Sequence, residues 1–195
     1  MRRARPYIED MPGQALVTAE ELFRLNLPNK RTELVRGMLI IREPAGYQHG
    51  DVAAQLLLAI GNYVEAHSLG RVFAAETGFT LERGPDTVRA PDVAFISNAR
   101  LPDPPPRAFA ELAPDLAVEV LSPSDMGREV DEKVADWLKA STRLVWVVDP
   151  IRANARVYRG DGTESLLVES DSLQGDDVLP GFTCVIGPLL RRGSA

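Results

Sequence analysis

Two carboxylates set within apolar runs constrain this chain more than any other feature of its sequence. Asp92 follows Pro91 and precedes Val-Ala-Phe-Ile, and Glu119 lies within the run Leu-Ala-Val-Glu-Val-Leu at 116–121. Runs of this kind are typical of strands that are buried on both faces, and side chains alternate along a strand, so Glu119 projects from the face opposite that of Val118. A buried carboxylate loses several kcal/mol of hydration. We therefore expect each acid to be protonated, paired with a cation or bound to a metal.

A lysine follows these strands on a predicted helix. A turn at 122–125 precedes a segment at 128–140 whose apolar residues recur with helical spacing. The apolar stripe consists of Val130, Val134, Trp137 and Leu138. Lys133 borders this stripe on the side of Trp137, so its stem can lie along apolar surface and carry the ammonium group toward Glu119.

The remaining elements predict an α/β protein with one domain. We expect short loops between elements, and we find no repeat and no linker long enough to divide the chain. Helices are predicted near 18–25 and 51–67, and a first hairpin turns at 36–37. Strands are predicted at 71–75, 77–82, 92–96, 116–121 and 144–148, and a late hairpin joins 155–158 to 165–168.

The order of the acidic residues and the lysine resembles the motif of the PD-(D/E)XK nucleases, which have the restriction-endonuclease-like fold. In the usual motif the lysine lies two residues after the second acid, where this chain has Leu121. The segment Glu-Val-Leu-Ser-Pro-Ser at 119–124, a lysine on the following helix and Val-Val-Asp-Pro at 147–150 are similar to the Uma2 family. In that family the lysine lies on the helix, as Lys133 does here.

Other segments of the Uma2 pattern occur in the same order along most of the chain. They are 18–22, 33–37, 48–50 and 175–182. The resemblance implies a single restriction-endonuclease-like domain over 1–195, with a central mixed β-sheet flanked by helices and with additional β-hairpins. Residues 1–15 are then an extended or flexible arm.

The resemblance also implies a nuclease that depends on Mg²⁺ or Mn²⁺ and hydrolyses phosphodiester bonds, with DNA as the expected substrate. Asp92 and Glu119 would be the metal ligands, because Mg²⁺ prefers oxygen ligands and needs only one or two carboxylates. The Lys133 ammonium would stabilise the charge that develops on the phosphate.

Three further residues are candidates for the same site. Glu33 lies on the first predicted hairpin and is a candidate catalytic residue, although an exposed hairpin glutamate is the simpler interpretation. Gln48 and His49 stand at a predicted helix entry that could face the acids at the edge of the site. A histidine titrates near neutrality and could position water or phosphate, but it could equally face solvent or cap the helix.

The residues alone leave two other functions open. One is a noncatalytic module that binds a protein or a nucleic acid, in which Glu119 pairs with Lys133 or Arg89 and Asp92 caps a turn. The other is hydrolysis of a small phosphoester. Carboxylates that converge on a divalent ion near Lys133 would favour an enzyme, whereas a dry ion pair between Glu119 and Lys133 would favour the module.

Composition limits the partners that we expect. The net charge of −6 argues against a surface coated for nonspecific DNA binding, although it is compatible with a local groove. Arginines cluster at both ends of the chain, at 2, 3, 5, 191 and 192. We expect a homodimer, because two sites facing antiparallel strands allow double-strand cleavage, and late strands such as 155–158 could supply the contact.

The sequence contains no long apolar run and only one cysteine, and both facts limit what we expect of the protein. No apolar run approaches the roughly 18 residues of a membrane span, so we expect a cytoplasmic protein. The single cysteine, Cys184, excludes an intramolecular disulfide and a zinc site built on several cysteines.

Overall fold

The computed structural model describes residues 16–25, 27–28, 30–123, 125 and 127–190. The helices are α1 (Ala19–Arg24), α2 (Tyr47–Ala66), α3 (Gly127–Lys139) and α4 (Ile186–Leu190), with a 3-10 turn at Asn98–Arg100. The strands are β1 (Arg31–Val35), β2 (Met38–Arg42), β3 (Gly70–Ala74), β4 (Phe79–Glu82), β5 (Thr87–Arg89), β6 (Val93–Ser97), β7 (Leu116–Val120), β8 (Leu144–Asp149), β9 (Asn154–Arg159), β10 (Glu164–Val168), β11 (Ser172–Gln174) and β12 (Thr183–Val185).

A six-stranded mixed sheet forms the centre of the fold, in the order β10-β9-β8-β7-β6-β3. Strands β7 and β8 are parallel, and every other neighbouring pair in this sheet is antiparallel. Parallel neighbours need a crossover connection, which α3 provides here. The predicted central mixed sheet is confirmed. A four-stranded sheet, β2-β1-β5-β4, and the pair β11-β12 are the additional hairpin sheets.

Helices cover both faces of the central sheet. On one face Val118 and Val120 pack in a core with residues of α2 and α4, and on the other face Ala117 packs with residues of α3. The alternation predicted along β7 is therefore observed. Because Glu119 has the same parity as Ala117, it lies on the face that α3 covers.

The first hairpin shows why a glycine is needed at its turn. Val35 pairs with Met38, so only Arg36 and Gly37 connect β1 to β2. Both have positive φ angles, 50° and 77°, as two-residue turns of type I′ require. A Cβ at Gly37 would also lie 2.8 Å from Cβ of Leu16. The turn holds β1 in register, and β1 carries Glu33.

Several predicted boundaries differ from the structure. Helix α2 begins at Tyr47 rather than near residue 51, and its N-cap, Gly46, has no side chain that could signal the start. The short elements β5, β11, β12 and α4 were not predicted. Each strand among them has three residues, which is too few to show alternation, and α4 contains a glycine and a proline.

Strand β9 has no free edge to offer a second copy, so the dimer contact predicted through late strands such as 155–158 stays a prediction. It pairs with β8 on one side and with β10 on the other. The outer strand at this end of the sheet is β10. The proposed arm at 1–15 and the terminal arginines lie outside the described residues. Within the described ranges, no helix has the length and apolar character needed to cross a membrane.

Candidate metal and catalytic site

The predicted acids come from two strands and from the residue that precedes a third. Asp92 directly precedes β6, Glu119 is the fourth residue of β7, and Glu33 is the third residue of β1. All three are buried, with exposed fractions of 3%, 5% and 5%. Burial of three carboxylates is costly, so their partners define what the site can do.

Asp92 is fixed to the strand that carries Glu119. Its amide donates to the Val118 carbonyl at 2.9 Å, and its Oδ2 accepts from the Val120 amide at 2.8 Å. Asp92 is thus bonded to the backbone on both sides of Glu119. Its Oδ1 accepts from Nη2 of Arg31 at 2.9 Å, a cation that the sequence did not single out.

Helix α3 holds both oxygens of Glu119. Nζ of Lys133 donates to Oε2 at 2.9 Å, and Nε1 of Trp137 donates to Oε1 at 3.0 Å. The predicted reach of Lys133 along the helix toward Glu119 is observed. Trp137 was expected only as a core residue. Its place four residues after Lys133, on the same helix face, was the available signal for this second contact.

A buried arginine links Glu33 to α3. Glu33 accepts from Nη1 of Arg89 at 3.2 Å and from the Ala90 amide at 3.1 Å, and it lies 3.3 Å from Nζ of Lys133. Arg89 also donates to Asp136 through Nε at 2.9 Å and through Nη2 at 2.6 Å. The interpretation of Glu33 as an exposed hairpin residue is wrong. Of the two pairings considered for Glu119, the structure contains the one with Lys133.

His49 belongs to this cluster, whereas Gln48 points elsewhere. His49 is buried, and its Nε2 lies 3.2 Å from Oδ2 of Asp92. Gln48 donates to the Pro150 carbonyl at 3.4 Å. Both residues lie in the first turn of α2, and because successive side chains on a helix point about 100° apart, only one of them faces Asp92.

The acids have different electrostatic environments. Burial raises the pKa of Glu119, the nearby negative charges of Asp92 and Glu33 add to this, and Lys133 offsets only part of it. Burial also opposes ionisation of Glu33, but Lys133 and Arg89 outweigh it and lower its pKa to about 2. The pKa of Asp92 is likewise lowered despite burial, through His49 and Arg31.

Lys133 keeps its proton in this environment. Burial disfavours its charged form, but the carboxylates of Glu119 and Glu33 outweigh burial and raise its pKa above the usual value. The side chain is only 13% exposed. The site therefore holds a fixed positive charge between two acids.

Glu33 should make the protein sensitive to acid. A carboxylate whose pKa falls from 4.5 to about 2 on folding contributes stability above pH 4.5, and this contribution is lost as the pH falls toward 2. The shift corresponds to roughly 3 kcal/mol. We expect the difference in unfolding free energy between the parent and Glu33→Gln to be largest at neutral pH and to shrink below about pH 4.5.

Urea unfolding across this pH range measures the difference, and Glu43→Gln, at an exposed position, is the control. An equal difference at pH 7 and at about pH 3.5 would contradict the role of Glu33 as a buried carboxylate held ionised by Lys133 and Arg89.

The donor set fits a hard divalent ion that keeps most of its waters. Among the described residues, no group of three or more His, Cys, Asp and Glu side chains is arranged to enclose a metal. Mg²⁺ does not need such a group, because it commonly binds through one or two carboxylates and water. Asp92 and Glu119 supply hard oxygens. The N–H groups of Val120 and Trp137 would orient them, as hydrogen bonds commonly do for ligating carboxylates.

Comparisons with known proteins agree with this fold. A crystal structure from Anabaena variabilis, described as that of a "putative nuclease" of the family DUF820, matches with a TM-score of 0.77 and 21% sequence identity. The match covers 89% of this chain and 97% of that chain, which shows a shared fold. No curated protein matches the chain.

A family model matches residues 19–187, a range that contains all the candidate site residues. The family is Uma2, and its description is "putative restriction endonuclease". The matched range runs from the start of α1 into α4. The chain belongs to the Uma2 family.

Proposed function

We propose that the protein is a nuclease that depends on Mg²⁺ or Mn²⁺ and hydrolyses phosphodiester bonds of DNA. Asp92 and Glu119 would hold the ion, and Lys133 would be the electrostatic catalyst. One observation carries the proposal: buried carboxylates group around one lysine, since Lys133 contacts Glu119 at 2.9 Å and Glu33 at 3.3 Å, while Asp92 bonds the backbone on both sides of Glu119. These contacts support a shared role for two acids and one lysine that come from separate elements.

Each residue of the site would have a separate role in the cleavage reaction. A bound divalent ion would supply Lewis-acid polarisation of the phosphate and a more acidic water. Lys133 keeps its proton at neutral pH and presents a positive charge near the reacting phosphate, where negative charge grows in the transition state. Arg31 and Trp137 would hold Asp92 and Glu119 in fixed orientations.

A small cavity beside Lys133 offers a place for the substrate phosphate. Its volume is about 180 Å³, and its lining includes three further cations, Lys30, Arg31 and Arg42, and two carboxylates, Glu33 and Glu76. Asp92 and Glu119 do not line it, but Arg31 bonds Asp92 and Lys133 bonds Glu119. Cationic groups around a cleft neutralise phosphates. This supports a local binding groove in a protein whose net charge is negative.

The metal ligands can be tested without any nuclease assay. Asp92→Asn and Glu119→Gln each remove one charged oxygen ligand, so each should weaken Mn²⁺ binding by about tenfold or more. Calorimetric titration with Mn²⁺ measures this, and Glu82→Gln, in an exposed ion pair with Lys139, is the control. Unchanged Mn²⁺ affinity in both site variants would refute the shared ion.

One observation favours the noncatalytic module. The buried ion pair between Lys133 and Glu119 is the contact expected of a structural site. Against the module, burial and the nearby charges of Asp92 and Glu33 keep the pKa of Glu119 raised even beside Lys133, and a bound divalent ion would favour its ionised form. A parent protein that binds nucleic acid but neither binds Mn²⁺ nor cleaves would establish the module.

The protein would act on duplex DNA as a homodimer with two sites. The outer strand β10 is the better candidate for the contact than β9, because Leu166 and Val168 on it are exposed. Light scattering at tens of micromolar protein, with and without DNA, should then give the mass of two chains. The mass of one chain in both conditions would contradict the dimer.

A further inference from the structure

We infer that Trp137 is a positioning residue for Glu119, in addition to its place in the core. The inference rests on the proposed metal site. The indole Nε1 donates to Oε1 of Glu119 at 3.0 Å, and Lys133 occupies the other oxygen, Oε2. Two donors on one helix, four residues apart, thus hold the two oxygens of one carboxylate.

The indole is a rigid donor. Trp137 is 0% exposed, and its ring meets Phe79 edge to face at a centroid distance of 6.4 Å. Packing therefore fixes the direction in which Nε1–H points. A lysine ammonium can turn about its long stem, but a packed indole cannot, so Trp137 sets the rotation of the Glu119 carboxylate.

This fixed orientation has a consequence for metal binding. A ligating carboxylate that is already held by a hydrogen bond loses little freedom when an ion binds, and such outer partners commonly affect affinity or activity by 10–100-fold. With Oε1 bound to the indole, Oε2 remains at the side where Lys133 lies. Trp137 would therefore fix the plane of the Glu119 carboxylate and the direction in which its second oxygen faces beside Lys133.

The chain contains its own matched control. It has two tryptophans, Trp137 and Trp146, and both are 0% exposed. Within the described part of the chain, Nε1 of Trp146 has no hydrogen-bond partner. Trp146 packs with the core on the α2 side of the sheet, where its ring stacks on Phe182 at 5.9 Å. Trp→Phe removes the same atoms at both positions but deletes a hydrogen bond to Glu119 only at Trp137.

The test measures Mn²⁺ affinity by calorimetry in the parent, Trp137→Phe and Trp146→Phe. We expect Trp137→Phe to weaken binding by about tenfold or more, and Trp146→Phe to stay within about twofold of the parent. Unchanged affinity in Trp137→Phe, or an equal loss in both variants, would overturn the role of Trp137 while leaving the metal site in place. A parent that binds no Mn²⁺ would overturn both.

Fluorescence gives a second measurement that needs no variant at Trp137. In Trp146→Phe the remaining tryptophan is Trp137, and paramagnetic Mn²⁺ bound at Glu119 should quench it. The dissociation constant obtained from the quenching curve should equal the one that calorimetry gives for the same variant. Mn²⁺ binding to this variant without quenching would place the ion away from Trp137 and would overturn the inference.

Discussion

Replacing Lys133 by Met should lower the rate of metal-dependent cleavage by about 100-fold or more, the scale expected for the loss of one preorganised electrostatic group. Methionine keeps much of the apolar stem but removes the ammonium that contacts Glu119 and Glu33. The matched control is Lys139→Met on the same helix, because Lys139 is 68% exposed and pairs with Glu82 at the surface. Cleavage of a labelled oligonucleotide at saturating Mg²⁺ measures the two rates.

The same substitution should also cost stability, because the ion pair is buried. If the lysine tip lay in solvent, Lys133→Met would change the unfolding free energy little. The side chains of Lys133 and Glu119 are instead buried, with 13% and 7% exposed. Removing one partner of a buried pair commonly costs about 3–5 kcal/mol. The cleavage rates of Lys133→Met and Lys139→Met are therefore compared at a temperature where circular dichroism shows both variants to be folded.

A second substitution separates charge from position. Leu121 has the same parity along the chain as Glu119 and packs with the α3 side of the core, at the position where the usual motif has its lysine. Adding Leu121→Lys to Lys133→Met should restore part of the rate if a positive charge near the phosphate is what matters. A folded Lys133→Met protein that cleaves as fast as the parent would show that Lys133 is not catalytic.

Arg89→Met should also produce a large loss of stability, comparable with that of Lys133→Met. The Arg89 side chain is 4% exposed and is shared between Glu33 and Asp136, so its removal takes a buried positive charge from two carboxylates, although Glu33 keeps its contact with Lys133. We expect the unfolding free energy to fall by about 3–5 kcal/mol. Urea unfolding measures the change.

Arg83→Met is the control for this prediction. Arg83 also bridges several carboxylates, but it is 41% exposed, so its loss should cost about 1 kcal/mol or less. Adding Asp136→Asn to Arg89→Met should recover part of the stability, because it removes the negative charge of one of the two carboxylates that Arg89 contacts. Equal costs for Arg89→Met and Arg83→Met would show that the buried linkage between β5 and α3 contributes little.

The sequence was sufficient to find the central acids and the lysine, because their signals are local. Apolar runs around Asp92 and Glu119 indicate buried strands, and the helical period places Lys133 beside Trp137. The contact of Lys133 with Glu119 then follows from the short connection between β7 and α3, and the pairing of β6 with β7 brings Asp92 beside Glu119. The family resemblance supplied the order of the elements that local patterns leave open.

The actual partners of Arg89 could not be predicted in the same way: the sequence suggested Glu119, whereas the structure pairs Arg89 with Glu33 and Asp136. Arg89 lies on β5, which has three residues, and it joins residues that are 47 and 56 positions away along the chain. The sequence around Arg89 contains no pattern that predicts a contact with residues so distant along the chain. The role of Arg31 at Asp92 was missed for the same reason, since 61 positions separate the two residues.

Cleavage of supercoiled plasmid by the purified parent, with Mg²⁺ and with EDTA, tests the proposed activity most directly. Glu119→Gln, shown to be folded, is assayed beside it, because this variant keeps the shape of the side chain but removes the charge of one proposed ligand. We predict nicked or linear product from the parent with Mg²⁺, and little product with EDTA or from Glu119→Gln. Equal cleavage by the parent and Glu119→Gln, or intact plasmid from the parent with both Mg²⁺ and Mn²⁺, would contradict the account.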